Sequence, residues 1–190
     1  MTDPVNALSV LIVDDNEHVR KLVKVILRSI GVNRTAEAEN GRQALNIMRE
    51  AVPDIVLTDW EMEGMDGLQL TRHIRRSTHS PNVFLPVIVM TGQADMERVL
   101  AARDAGVNEF VIKPLSGSAL LSRIRAILDT PRPFISGGDF FGPDRRRRTK
   151  PWDGEERRGK APATQVASPS CNAMPEIAQQ AVNTMMNQGR

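Results

Sequence analysis

The sequence predicts an α/β protein: a five-stranded, doubly wound parallel sheet with helices on both faces. Three observations carry this. Short strand-like runs recur five times in residues 1–130, four of them apolar and rich in Val and Ile. Most of them lack period-two alternation, as expected of strands covered on both faces. Amphipathic segments with helical spacing separate them, and such alternation argues for a parallel sheet whose crossovers are right-handed. Ligands of sheets of this kind bind beyond the carboxyl ends of the strands.

In chain order, residues 8–13 make the first strand. Val19, Leu22, Val23, Ile26 and Ile30 then recur at helical spacing, and Gly31 offers a C-terminal stop. Residues 35–38 are a weaker, more polar strand, suited to an edge. Ala44, Leu45, Met48 and Ala51 form a second helical stripe, stopped by Pro53. Residues 55–57 are the third strand, and Leu70 and Ile74 mark a short third helix. Residues 87–90 are the fourth strand. Met96, Val99 and Leu100 open a fourth helix, closed by Gly106. Residues 110–112 are the fifth strand, and Leu120, Ile124, Ile127 and Leu128 form a fifth helix that ends near Pro131.

The chain of 190 residues has room for one domain plus an appendage. Its charge is uneven: residues 1–130 carry 15 Lys/Arg against 17 Asp/Glu, and residues 131–190 carry 10 against 6. The single cysteine, Cys171, leaves no intramolecular disulfide and fits a reducing compartment. The start lacks the basic region of a signal peptide, and no apolar run reaches transmembrane length. The expectation is a soluble, cytoplasmic protein.

Residues able to do chemistry stand just past the strand ends: Asp14 and Asp15 after the first, Asp59 after the third, Thr91 after the fourth and Lys113 after the fifth. A parallel sheet gathers them at one edge. Three carboxylates there repel one another, and a divalent cation relieves that repulsion; an oxygen-rich set of few protein ligands suits Mg²⁺. A lysine can stabilise charge on a transferred phosphoryl group, a threonine hydroxyl can donate to a phosphate oxygen, and a carboxylate can be the nucleophile that forms an acyl phosphate. Taken alone, Asp14 and Asp15 could merely cap a helix, Thr91 could cap one beginning near Ala94, and Phe110 could simply be core. His18, His73 and His79 lack ligand spacing.

Val13-Asp14-Asp15-Asn16, Asp59-Trp60-Glu61-Met62 with Met65-Asp66-Gly67, Thr91-Gly92 and Lys113-Pro114 together resemble the signature of bacterial two-component response-regulator receivers, over roughly residues 8–129. The resemblance implies a stand-alone, chemotaxis-regulator-like receiver with a flavodoxin-like sheet in the order 2-1-3-4-5. It implies that Asp59 is the phosphoacceptor and that Asp14, Asp15, Asp59 and the backbone carbonyl of Glu61 serve Mg²⁺, Asp14 largely through a metal-bound water. Lys113 then contacts the phosphoryl group, Lys113–Pro114 is a cis peptide, and Thr91 and Phe110 form the switch. Partners would be a histidine kinase or phosphotransfer protein and an unidentified output protein. A phosphorylation-dependent dimer stays open, and no external substrate is expected. Glu63 departs from the proline common there, which loosens the loop and adds a carboxylate that can compete for cations. Glu61 and Gln93 occupy positions that tune phosphate lifetime in the family.

From residue 131 the composition turns rich in Pro and Gly, with seven of the twelve prolines in the last 60 residues. That argues for a receiver over residues 1–130 and a largely disordered basic tail over 131–190. Phe140-Phe141-Gly142-Pro143-Asp144-Arg145-Arg146 is echoed by Trp152-Asp153-Gly154-Glu155-Glu156-Arg157-Arg158, an imperfect repeat that reads either as short linear motifs, able to fold onto a partner or back onto the receiver, or as a solvated basic linker. Ile177, Ala178, Ala181, Val182 and Met185 could form a short helix. The leading functional expectation is a phosphorelay response regulator that switches protein–protein binding. The alternatives are a transcription regulator reaching DNA through Arg145–Arg148, which the modest charge argues against, and a phosphate carrier or sink.

Overall fold

The computed structural model describes residues 4–93, 95–137, 140–144 and 164–166. After a 3-10 turn at Pro4–Ala7, the chain runs β1 (Ser9–Val13), α1 (Glu17–Ser29), β2 (Arg34–Ala38), α2 (Gly41–Glu50), β3 (Ile55–Asp59) and α3 (Gly67–Arg76). It continues with β4 (Val87–Thr91), α4 (Met96–Ala105), β5 (Glu109–Ile112) and α5 (Gly117–Asp129). The five strands are all parallel and lie in the order β2-β1-β3-β4-β5, the doubly wound arrangement expected from the sequence.

Alternate strand residues feed two cores. Leu11, Val13, Val56, Val87 and Val89 pack with Ala44 and Met48 of α2, Leu70 and Ile74 of α3, and Ala102 of α4. Val10, Ile12, Leu57, Ile88, Met90 and Val111 face Val23 and Leu27 of α1 and Leu120 and Ile124 of α5. Covered on both faces, these strands have no reason to alternate, which is why they read as continuous Val/Ile runs. β2 is the polar edge, with only Ala38 fully buried.

Side-chain caps set where the helices begin. Asn16, Asn40, Asp66, Asp95 and Ser116 each accept a backbone N–H of the first turn, and Asp66 and Gln69 close a reciprocal capping box. The helix after β4 is therefore started by Asp95, and the helix after β1 by Asn16, leaving Thr91, Asp14 and Asp15 free of capping duty. The third helix, expected to be short, runs ten residues.

Beyond Thr130 the structure departs from the sequence expectation. Phe134–Gly137, Phe140–Pro143 and Thr164–Val166 form strands β6, β7 and β8 of a small antiparallel sheet, in the order β7-β6-β8. Phe134 and Phe141 are buried and pack edge-on against Phe84 in the loop before β4, with centroids 5.0 and 5.5 Å away. Close approach of backbones makes this possible: a Cβ on Gly142 would lie 2.9 Å from the Cα of Gly106, which itself ends α4 at φ +89°. Pro- and Gly-rich composition argued against packing because it measures only what a segment can bury on its own. These aromatics bury against the receiver instead. The second copy of the repeat, at 152–158, and the apolar stripe at 177–185 lie outside the described residues.

Under Phe134 sits Arg75, a fully buried residue on the last turn of α3. Its Nε donates to Gly106 O at 3.0 Å, Nη1 to Val83 O and Leu85 O at 2.8 Å each, and Nη2 to Asn108 Oδ1 at 2.8 Å. The Phe134 ring covers the guanidinium at 5.1 Å. One side chain thus ties α3, the loop before β4 and the α4–β5 turn together at the amino-terminal end of the sheet.

Candidate functional site

The opposite, carboxyl-terminal end of the sheet carries the site. Asp14 directly follows β1, Asp59 and Thr91 end β3 and β4, and Lys113 follows β5. Neighbouring strands in register place Asp59 beside Met90 and Thr91 beside Ile112. Asp14, Asp15 and Asp59 each bring a carboxylate oxygen within 4.8 Å of the others. Asp14 is buried, and its Oδ1 accepts the backbone N–H of Asn16 at 2.9 Å. The Asp59 side chain is 14% exposed and accepts the Trp60 N–H at 2.9 Å. Asp15 is exposed and accepts the Glu63 N–H at 3.3 Å.

Lys113 Nζ bridges the two inner carboxylates, 2.9 Å from Asp59 Oδ1 and 3.3 Å from Asp14 Oδ2. The Lys113–Pro114 peptide bond is cis. Burial raises the pKa of Asp59 above the usual carboxylate value; Lys113 opposes this and Asp14 adds to it. For Lys113, burial pulls downward, but the hydrogen bond and charge of Asp59, with the charge of Asp14, outweigh it and leave the ammonium raised. The lysine is therefore held as a cation between two carboxylates. Three carboxylates against one lysine leave the cluster short of positive charge, and its all-oxygen donor set fits a hard divalent cation.

Gly67 explains how α3 can start so close to the cluster. A Cβ there would stand 2.1 Å from the Asp59 carbonyl oxygen, and the Gly67 N–H donates to Trp60 O at 3.1 Å. Only glycine lets the helix approach the backbone of Asp59 this closely.

Thr91 and Phe110, expected from the sequence to form a switch, are not engaged with the acids. The buried Thr91 hydroxyl donates to Gln93 O at 2.7 Å and accepts the Gln93 N–H at 3.2 Å. Phe110 is half-buried and lines a groove with Val99, Ala102 and Arg103 of α4, and with Arg132 and Pro143 from beyond α5. The Glu61 side chain extends outward, 72% exposed, to an ion pair with Arg98 at 2.6 Å. Sequence reasoning missed Arg98, which lies 37 positions from its partner with no motif linking them. It also missed Arg20, whose Nη1 donates to the carbonyl of Asp14 at 2.7 Å and steadies the turn that presents the acids.

The profile described as response regulator receiver domain matches residues 10–125. The chain belongs to the response regulator receiver family. Chemotaxis protein CheY-3 of Vibrio cholerae is 37% identical over 122 residues, 64% of this chain and 92% of that protein. Chemotaxis protein CheY of Pseudomonas aeruginosa is 36% identical over 64% of this chain and 97% of its own length. Among solved structures, Vibrio cholerae CheY4 aligns with TM-score 0.58 at 26% identity, over 64% of this chain and all of that one. The signal receiver domain of a signal transduction histidine kinase from Syntrophus aciditrophicus aligns with TM-score 0.57 at 29% identity, over 65% of this chain and 91% of that one. This receiver is a phosphorelay signalling module, a regulator rather than a metabolic enzyme. Among the described residues no helix is long and apolar enough to cross a membrane.

Proposed function

We propose that Asp59 is the phosphoacceptor of this receiver, charged by a histidine kinase or phosphotransfer protein in the cytoplasm and read out by protein–protein binding. The observation that carries the reading is the contact of Lys113 Nζ with Asp59 Oδ1 at 2.9 Å, inside a cluster where Asp14 and Asp15 lie within 4.8 Å. Asp14, Asp15, Asp59 and the Glu61 carbonyl would hold Mg²⁺, which when bound offsets the negative charge brought together by acceptor and donor.

The Asp59 carboxylate attacks phosphorus, and the leaving group departs with its electron pair. Lys113 keeps its proton and neutralises charge that grows on the phosphoryl oxygens. The ammonium is already fixed against the nucleophile, so little reorganisation is needed when the donor arrives. Thr91 then exchanges its Gln93 contact for a phosphoryl oxygen, and Phe110 turns into the space Thr91 vacates. The groove between α4 and β5 changes shape, and partners selective for that shape shift the population. Hydrolysis of the acyl phosphate by the receiver itself resets the switch.

The test is intact mass after incubation with acetyl phosphate and Mg²⁺. A labile phosphoryl adduct in the wild type, lost without Mg²⁺ and absent in Asp59→Ala, is the expected result. An adduct that survives in Asp59→Ala overturns the assignment.

A further inference from the structure

The cleft that opens onto Asp59 has a second cation at its mouth. About 320 Å³ in volume, it has Asp59 and Lys113 on its inner side and Trp60, Glu61 and Arg98 around its entrance. Arg98 belongs to the first turn of α4, where its N–H donates to Asp95 at 2.8 Å. Its guanidinium lies over the Trp60 ring at 5.3 Å, and its Nη2 donates to Glu61 Oε1 at 2.6 Å. The Arg98 side chain is 27% exposed and its partner Glu61 72%. Trp60 in turn holds Asp59 through its own N–H.

We infer that Arg98 recognises the anionic phosphodonor at the mouth of the cleft and that Glu61 restrains it in the resting receiver. The charge pattern motivates this. A donor must bring an anion toward three carboxylates, with Lys113 already bridging two of them. Arg98 is the cation at the entrance. A guanidinium matches phosphoryl oxygens with two parallel donors, and the Trp60 face fixes its plane without consuming any of them. Glu61 occupies the Nη2 side and Asp95 Oδ2 stands more loosely 3.9 Å from Nε, so an incoming phosphoryl group competes with two exposed carboxylates, of which Glu61 is the closer. Because Arg98 sits on α4, transfer of its contact from Glu61 to the donor also moves a restraint on the helix that borders Phe110.

This inference rests on Asp59 accepting a phosphoryl group, and its test separates the two. The full-length protein is charged with acetyl phosphate and Mg²⁺: the phosphorus–oxygen bond to acetate breaks, acetate leaves with the electron pair, and an Asp59 oxygen bonds to phosphorus. Initial rates are measured against donor concentration for wild type, Arg98→Gln, Arg98→Lys, Glu61→Gln and the Glu61→Gln/Arg98→Gln double variant, each with a thermal unfolding curve.

Arg98→Gln should lower the second-order rate constant about tenfold, the effect of one charge-assisted contact, mainly through weaker donor binding. Arg98→Lys should recover part of it, and added salt should slow the wild type more than Arg98→Gln. Glu61→Gln should raise the rate about threefold, half a decade's release of restraint, and the double variant should match Arg98→Gln alone. An Arg98→Gln rate equal to wild type overturns the inference while leaving Asp59 in place. So does a Glu61→Gln gain that persists undiminished without Arg98, since Glu61 would then act by its own charge. A wild type that gains no phosphoryl group removes the phosphoacceptor reading and this inference together.

Discussion

Replacing Arg75 by Met tests whether the segment beyond α5 is an integral part of the receiver. Methionine keeps the straight stem and much of the volume but removes every donor. Burial lowers the Arg75 pKa to about 9, so the guanidinium is still charged at neutral pH. That depression corresponds to a desolvation cost of about 5 kcal/mol. Against it stand four hydrogen bonds from a charged donor, to Gly106, Val83, Leu85 and Asn108, at about 1.5–3 kcal/mol each. The bonds win. Arg75→Met relieves the desolvation but strands the carbonyls of Gly106, Val83 and Leu85, while Asn108 Oδ1 keeps the Val87 N–H at 3.0 Å; the expected loss is about 3–5 kcal/mol. For a domain of this size that lowers the melting temperature by roughly 10–20 °C.

The decisive comparison is a double-mutant cycle with Phe134→Ala, followed by urea unfolding. Phe134 contributes its own buried ring, about 3 kcal/mol or more, and it keeps water off the guanidinium and its acceptors. With the ring gone, water reaches the stranded carbonyls, so Arg75→Met should cost at least about 1 kcal/mol less in the Phe134→Ala background. Additive effects, or an Arg75→Met cost under about 1 kcal/mol, would refute the reasoning and make β6 a bystander.

Two further predictions concern the site. Asp59 is an acid whose folded pKa is raised, so its contribution to stability is present at low pH and lost as pH rises through that pKa. Asp59→Asn should therefore stabilise the receiver at pH 7, and melting curves at pH 4 should show the gain shrinking; a loss at pH 7 would contradict the charge balance described. Gly67→Ala would force a Cβ to 2.1 Å from Asp59 O, so α3 must retreat. We expect a loss of about 2 kcal/mol or more and slower phosphorylation in the same variant, measured by unfolding and by intact mass.

Much of the receiver was legible because its physics is local or periodic. Val/Ile runs marked β1, β3 and β4, Gly106 marked the end of α4, and the acids at the strand ends announced one shared edge. Asp14, Asp59 and Lys113 could be grouped from topology alone, since parallel strands bring their carboxyl ends together. Other features depend on partners far away in the chain. Arg75 on the sequence is one more basic residue in a helix that also carries Arg72 and Arg76, and nothing local distinguishes the buried one. Phe140 and Phe141 stood out as a linear motif able to fold onto a partner or back onto the receiver; which of these holds depends on Phe141 meeting Phe84 and Gly142 meeting Gly106, contacts that composition cannot register. The Glu61–Arg98 pair was hidden for the same reason.

The central claim, that the acyl phosphate forms on Asp59 itself, is tested most directly by trapping it. Receiver charged with acetyl phosphate and Mg²⁺ is reduced with borohydride, which converts an aspartyl phosphate to homoserine, then digested and sequenced by tandem mass spectrometry. Homoserine at position 59, dependent on prior phosphorylation and with every other Asp intact, is the predicted result. Homoserine at Asp14 or Asp15, or an unreduced position 59 in protein that carries the phosphoryl mass, would contradict it.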